Sequence, residues 1–338
     1  MKNPMPDIIG NADLRRRLCD DIEQGLSSHA YILAGPRGSG KHSIAVQFAA
    51  AVACERREDA SAPLPCGECR MCKKIFDGNC PDVLVIKKEG MSVKIDQIRA
   101  LQTDVRKVPN DLEDKFYIIE DAQTMTEEAQ NAFLLTLEEP PAYVHFFLLC
   151  NSTEGLLETV RSRAPVLRTE PIPADRIREH LLRASSRAAD LQRSAPHELE
   201  EILVIADGSI GRALELIDEK EREPYVRQRH HAEALITAAL AHKKRKLIEL
   251  INELPPKQEE LLSTLSAAQT ALRDLVALKQ SETAPLCFFT DRAAAMELAY
   301  ANSLSAMLTT YDILEQTASL LARNANIKLT LTVMTAKL

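Results

Sequence analysis

Short, mainly apolar runs alternate with amphipathic stretches through the first half of the chain. The runs at residues 31–34, 82–86, 116–119, 145–149 and 165–168 have the length and composition of buried strands. Between them, residues 41–54, 94–105, 127–137 and 154–160 carry the spacing of helices. Strand followed by crossover helix, repeated, predicts a parallel sheet in a nucleotide-binding α/β domain.

After Pro171 and Pro173 the strand signal stops and apolar residues recur at helical spacing, as in Ile177, Leu181 and Leu182. The proline-rich segment 170–173 therefore reads as a domain boundary. A small helical unit is expected to about residue 220, with Asp207-Gly208-Ser209 separating two of its helices. From about residue 223 the pattern is helical throughout, with leucine-rich stretches at 247–254 and 261–278. The expected organisation is an α/β domain at 1–169, a small helical domain at 170–222 and an all-helical domain at 223–338. No repeat of 20 to 50 residues is present.

Composition narrows this picture further. With 338 residues, 45% hydrophobic and 27% charged, the chain can bury several cores and is not of the disordered class. The nearly apolar stretch 44–54, interrupted by Gln47, is far short of the roughly 20 residues that cross a bilayer. The first ten residues lack the apolar core of an export signal, so a cytoplasmic protein without a membrane partner is expected. A net charge of −7 argues against gripping nucleic acid alone, because such binders carry a basic excess that displaces counterions. The basic runs Arg15-Arg16-Arg17 and Lys243-Lys244-Arg245-Lys246 read as solvated helix faces.

The strongest motif is Gly35-Pro36-Arg37-Gly38-Ser39-Gly40-Lys41-His42, placed between the first strand and the first crossover helix as a phosphate loop requires. Gly35, Gly38 and Gly40 let backbone N–H groups curl round a phosphate, the helix N-terminus adds a favourable dipole, and Lys41 reaches the terminal phosphates. The last position should offer a hydroxyl to Mg²⁺, yet His42 stands there, and an imidazole is a poor ligand for a cation that prefers oxygen. Ser43 does not replace it, since one residue along a helix turns the side chain by about 100°. The strand 116–119 ends in Glu120-Asp121, the reverse of the usual order in which Asp holds the metal and Glu polarises water. ATP or ADP is therefore the expected occupant, firm Mg²⁺ binding is not expected, and hydrolysis should be very slow or absent.

Of eight cysteines, four fall between Cys66 and Cys80. Cys66, Cys69 and Cys72, with Cys54 upstream, supply four thiolates for a closed tetrahedral zinc site that would fasten an insertion at about 54–80 onto the preceding helix. Four thiolates leave no position for water, so the role is structural. A rival set is Cys66, Cys69, Cys72 and Cys80, followed by Pro81, the order of a ferredoxin-type cluster, although its last gap is seven residues instead of three. Unliganded cysteines are the third reading.

Taken together, these motifs resemble the AAA+ subunits of the bacterial DNA polymerase III clamp loader, in the delta prime branch. Further matching segments are Ser28-His29-Ala30-Tyr31, residues 131–141 with Thr136-Leu137-Glu138-Glu139-Pro140-Pro141, and Ser162-Arg163-Ala164. The resemblance implies a AAA+ domain, a helical lid and a helical collar through which subunits join, the last collar helix being residues 324–338. It implies that Arg163, in a Ser-Arg-Cys motif whose Cys is here Ala164, acts as an arginine finger on a neighbour's ATP. It places Arg212, in Asp207-Gly208-Ser209-Ile210-Gly211-Arg212, at the second sensor, and Asn151 and Ser152 near the first. The implied partners are gamma/tau and delta subunits, the sliding clamp, and primer–template DNA through the assembled complex.

Two competitors remain at this level. One is an ATPase, gamma/tau-like or free-standing; His42, the Glu120-Asp121 order and the chain's end straight after the expected collar argue against the gamma/tau form. The other is a zinc-dependent DNA-binding module, disfavoured by the acidic balance and by the position of the cysteines inside the α/β domain.

Overall fold

The structure, a computed structural model, describes residues 4–25, 27–323 and 325–338; the first three residues and Asn324, at which the last helix was expected to open, lie outside them. The chain packs as two compact units, one formed by Met1–Ile177 with Gly208–Arg212, the other by Arg178–Asp207 with Ala213–Leu338.

The first unit is built on a five-stranded sheet. Its strands are β1 (Ala30–Ala34), β2 (Val83–Ile86), β3 (Lys115–Ile119), β4 (Val144–Cys150) and β5 (Val166–Arg168). All pair in parallel, in the order β2-β3-β4-β1-β5. The three central strands are buried along their whole length, which is why their sequences are apolar at every position bar Lys115 and His145. Alternation then sorts the side chains between two cores. Tyr31, Leu33, Phe116, Ile118, Phe147 and Leu149 face α1 (Ala12–Glu23), α2 (Lys41–Val52) and the cysteine insertion with α3 (Arg70–Phe76). Ala30, Ile32, Tyr117, Ile119, Phe146 and Leu148 face α4 (Ile95–Val105), α5 (Glu127–Glu138) and α6 (Glu158–Arg161).

Helix α2 is apolar nearly all round because the sheet lies on one side and α1 with the insertion on the other. This burial accounts for the nearly apolar stretch 44–54 within the expected helix. Phe48 on α2 is its anchor, with ring centroids 5.0 Å from Phe147 and 5.5 Å from Tyr31. Helix α1 was absent from the sequence reading, although Leu14, Leu18, Cys19 and Ile22 give it a clear buried stripe. The expected helix 154–160 shrinks to α6, four residues long, because Thr153–Leu156 forms a turn held by Leu156 N–H donating to Thr153 O at 3.1 Å.

One buried carboxylate holds the approach to β3. Asp82, fully buried, accepts from the backbone N–H groups of Asn110 (2.8 Å), Asp111 (2.6 Å) and Leu112 (2.9 Å). Burial by itself raises its pKa, but these hydrogen bonds outweigh it and the net shift is downward. A carboxyl with a depressed folded pKa contributes stability that is present above its unfolded pKa, about 3.9, and lost as pH falls through the folded value. Asp82→Asn is therefore expected to lower the melting midpoint at neutral pH. The gap to wild type should narrow as pH falls below the unfolded value, about 3.9, in a pH series of thermal unfolding curves.

The second unit holds the rest of α7 (Ala174–Ala184), α8 (Ser186–Ser194), α9 (Pro196–Ala206) and α10 (Ile210–Leu216), then α11 (Glu219–Leu240), α12 (Lys244–Glu253), α13 (Gln258–Gln280), α14 (Arg292–Ala301), α15 (Leu304–Ala322) and α16 (Ile327–Lys337). Helix α13 is central: Leu261, Leu265, Ala268, Leu272, Leu275 and Leu278 are all buried at helical spacing. Buried Asp274 on this helix accepts from the N–H groups of Cys287 (2.9 Å) and Phe288 (2.7 Å), fixing the loop before α14. Threonines buried in α15 and α16 satisfy their hydroxyls on carbonyls four residues back, as Thr317 does on Ile313 O at 2.7 Å. Among the described residues, no helix is long and apolar enough to cross a membrane.

Candidate functional site

The phosphate loop, Glu120 and Asn151 gather at one edge of the sheet with residues from the remaining strands, at the C-terminal ends of the strands. Gly35 follows β1, Lys87 follows β2, Glu120 follows β3, Asn151 follows β4 and Thr169 follows β5. In an open parallel sheet this edge is where ligands bind, since the strands end there and the helices begin.

The phosphate loop runs from Gly35 to the start of α2. Gly38 and Gly40 have φ of +76° and +87°, a backbone region that suits glycine. A side chain at Gly35 would put its Cβ 1.8 Å from Thr169 Oγ1, so the glycine is required there by contact. Gly38 is closed in by the segment 208–212 of the same unit: Gly211 N–H donates to Gly38 O at 2.9 Å, and Ser209 Oγ donates to Arg37 O at 2.9 Å. This brings Arg212, half-buried, to the loop, with its N–H on Ser209 Oγ at 3.2 Å. Lys41 is buried, and its Nζ donates to Gly35 O (2.6 Å), Pro36 O (2.8 Å) and Asn151 Oδ1 (3.4 Å). Burial pushes its pKa down.

His42 and Glu120, named separately in the sequence, are brought together. Nδ1 of His42 lies 2.9 Å from Oε1 of Glu120. Two residues that the sequence reading did not single out complete the group: Lys87 Nζ is 3.8 Å from Glu120 Oε2, and Lys88 Nζ is 3.2 Å from Asp121 Oδ2. The pairing of β2 with β3, Ile86 opposite Ile119, dictates this, because the next residues along are Lys87 opposite Glu120 and Lys88 opposite Asp121. Nothing in the sequence says that β2 neighbours β3, so the lysines gave no signal there. A Mg²⁺ ion fits this donor set poorly: the hydroxyl position is an imidazole, and both carboxylates already face cations.

Arg163 lies just past α6, away from the loop residues in sequence, and its guanidinium is half-exposed. It donates to Thr159 O at 2.9 Å and forms an ion pair with Glu138 at the end of α5. Ala164 beside it is buried in the core that α5 and α6 share.

Four sulfurs form a second constellation. Cys54, Cys66, Cys69 and Cys72 place their Sγ atoms within 4.8 Å of one another, whereas Cys80 groups with Asp82 and Asp111 instead. This removes the ferredoxin-type set of Cys66, Cys69, Cys72 and Cys80. Tetrahedral zinc at about 2.3 Å from each sulfur sets sulfurs about 3.8 Å apart, and Cys66 and Cys72 stand at 4.0 Å, so the four thiols fit a zinc ion. Cys54 lies two residues beyond α2, and Cys72 sits inside α3. Burial pushes the Cys54 and Cys72 thiols up; at Cys66 burial is opposed and outweighed by hydrogen bonds from the Cys69 and Glu68 backbone, which bring it to about 7.

A parallel sheet in the order β5-β1-β4-β3-β2, with a phosphate loop after β1 and a paired acidic motif after β3, defines a P-loop protein of the AAA+ type. Residues 10–173 match the family described as DNA polymerase III, delta subunit. It is similar to DNA polymerase III subunit delta' of Bacillus subtilis, 33% identical over 199 residues (59% of this chain, 56% of that one). It is also similar to subunit delta' of Pseudomonas aeruginosa, 34% identical over 188 residues (54% and 53%). Subunit tau of B. subtilis is 34% identical over 215 residues, covering 63% of this chain and 37% of that protein. The chain thus spans little more than half the length of these delta' relatives and less of tau.

Proposed function

We propose that the chain is a delta prime-type subunit of a DNA polymerase III clamp loader, which helps to load the sliding clamp onto primed DNA with little or no ATP hydrolysis of its own. The observation that carries this reading is the 2.9 Å pairing of His42 with Glu120, at the two positions where metal would otherwise be held. Asp121 does not restore the chemistry, being a methylene shorter than the usual base, and a misplacement of about 1 Å costs on the order of 100-fold.

In this reading the cradle of Gly35, Gly38, Gly40 and Lys41 takes ATP or ADP, and Arg212 reaches the phosphates from the segment docked on Gly38. Arg163 is the arginine finger offered to a neighbour's nucleotide, where it stabilises charge on the transferring phosphoryl group. Zinc, when bound by Cys54, Cys66, Cys69 and Cys72, ties the insertion to the end of α2. The helical part divides into a lid at 170–222 and a collar at 223–338 that joins gamma/tau and delta subunits. DNA is met through the assembled cytoplasmic complex.

The likeness to subunit tau favours a second reading, a gamma/tau-like ATPase. ATP turnover by the purified chain, alone and mixed with delta and gamma/tau partners, separates the two. The proposed function expects turnover and clamp loading only in the mixture, and ordinary rates from the chain alone overturn it.

A further inference from the structure

We infer that the phosphate loop binds a nucleoside polyphosphate without Mg²⁺, because the chain supplies its own cations where the metal would sit. The inference rests on the reading of residues 35–42 as a nucleotide site, and extends it to what that site needs.

A phosphate loop that uses Mg²⁺ needs a hydroxyl at the start of the helix and a free carboxylate at the end of the neighbouring strand, since the ion takes six oxygens in tight geometry and dehydrates reluctantly. Here the hydroxyl position is His42, and its Nδ1 is committed to Glu120 Oε1 at 2.9 Å. The other oxygen of Glu120 faces Lys87 Nζ at 3.8 Å, and Asp121 faces Lys88 Nζ at 3.2 Å. Two carboxylates and two ammonium groups leave no net negative charge to attract a divalent cation.

The arrangement is set by backbone, not by a chance side-chain conformation. Glu120 N–H donates to Ile86 O at 2.9 Å, so the parallel ladder runs up to the very residues that pair. Lys87 and Lys88 leave β2 opposite Glu120 and Asp121 wherever the ladder is intact. Beside this neutralised group the loop keeps what phosphate itself requires: the glycine backbone at Gly38 and Gly40, the start of α2, and the ammonium of Lys41. Phosphate recognition and metal recognition, which ordinary phosphate loops combine, are here separated.

The test is titration of the full chain with mant-ADP, in Mg²⁺-free buffer without chelator and in millimolar Mg²⁺, followed by fluorescence. Saturable binding is expected, with a Kd that agrees within about threefold between the two conditions, and Lys41→Ala is expected to abolish it. The triple variant His42→Thr, Lys87→Ala, Lys88→Ala restores a hydroxyl and frees the carboxylates; its binding is expected to tighten about tenfold when Mg²⁺ is added. A wild-type Kd that tightens tenfold or more with Mg²⁺ overturns the inference while leaving the nucleotide site in place. So does a triple variant that binds as the wild type does, indifferent to the metal. Absence of saturable binding in both conditions overturns the nucleotide-site reading, and the inference falls with it.

Discussion

In a reconstituted clamp loader, replacing Arg163 with alanine is expected to slow hydrolysis at the site it faces by about a thousandfold, the lower end of what an arginine finger supplies. The arginine stands on the surface after α6, half-exposed, and among the described residues it pairs with the carboxylate of Glu138. Exposed ion pairs contribute little to stability, so the variant should fold and assemble as the wild type does. A fall in ATP turnover and clamp loading with intact assembly is therefore the expected signature. Single-turnover hydrolysis in the variant complex reads it directly, because sites served by other subunits keep working and dilute the effect in a steady-state assay. Wild-type single-turnover kinetics at every site would remove Arg163 from catalysis. Arg163→Lys is expected to rescue poorly, since a lysine lacks the planar fork that spans two phosphoryl oxygens.

The second large effect concerns the four thiols. Purified chain is expected to carry one equivalent of zinc and no colour, and stripping the ion with a chelator should lower the melting midpoint by about 10 °C or more. The reason lies in what the insertion holds together. Cys54 follows α2, Cys72 packs beneath α2 with its Sγ 3.6 Å from Ala50 O, and Leu64 accepts from Met5 N–H at 2.7 Å. Loss of the ion frees the insertion, uncovers α2 and loosens the N-terminal segment that Leu64 holds. Cys54→Ser tests the ligand set, because it removes the one thiol that lies outside the Cys66–Cys72 run. Thermal unfolding with and without chelator, alongside a colorimetric zinc assay, checks both statements. A midpoint that chelation leaves unmoved, in protein free of zinc, would mean four ordinary cysteines.

The strands were legible because burial on both faces leaves few residue types to choose from, and β1 through β5 fall within a residue or two of the runs read from sequence. The phosphate loop was legible for a different reason: its glycines are dictated by backbone geometry and its lysine by phosphate charge, so the chemistry is local. Helix α1 was missed because its polar residues outnumber its buried stripe of Leu14, Leu18, Cys19 and Ile22. The helix over 154–160 was overextended because Leu156, Leu157 and Val160 sit at helical spacing, yet Leu156 belongs to a turn.

By itself, the sequence determined the class of fold and placed the phosphate-loop motif and its altered last position, with the four-cysteine set as one of three readings. Each rests on residues close together in the chain or on a periodicity that survives without neighbours. The tertiary structure alone decided which residues meet. It chose Cys54 over Cys80, paired Arg163 with Glu138, and docked Gly211 on Gly38. Above all it set β2 beside β3, which turned Lys87 and Lys88 from two lysines after a strand into counter-ions of Glu120 and Asp121. Strand order is a long-range choice fixed by how helices cover the sheet, and no local pattern records it.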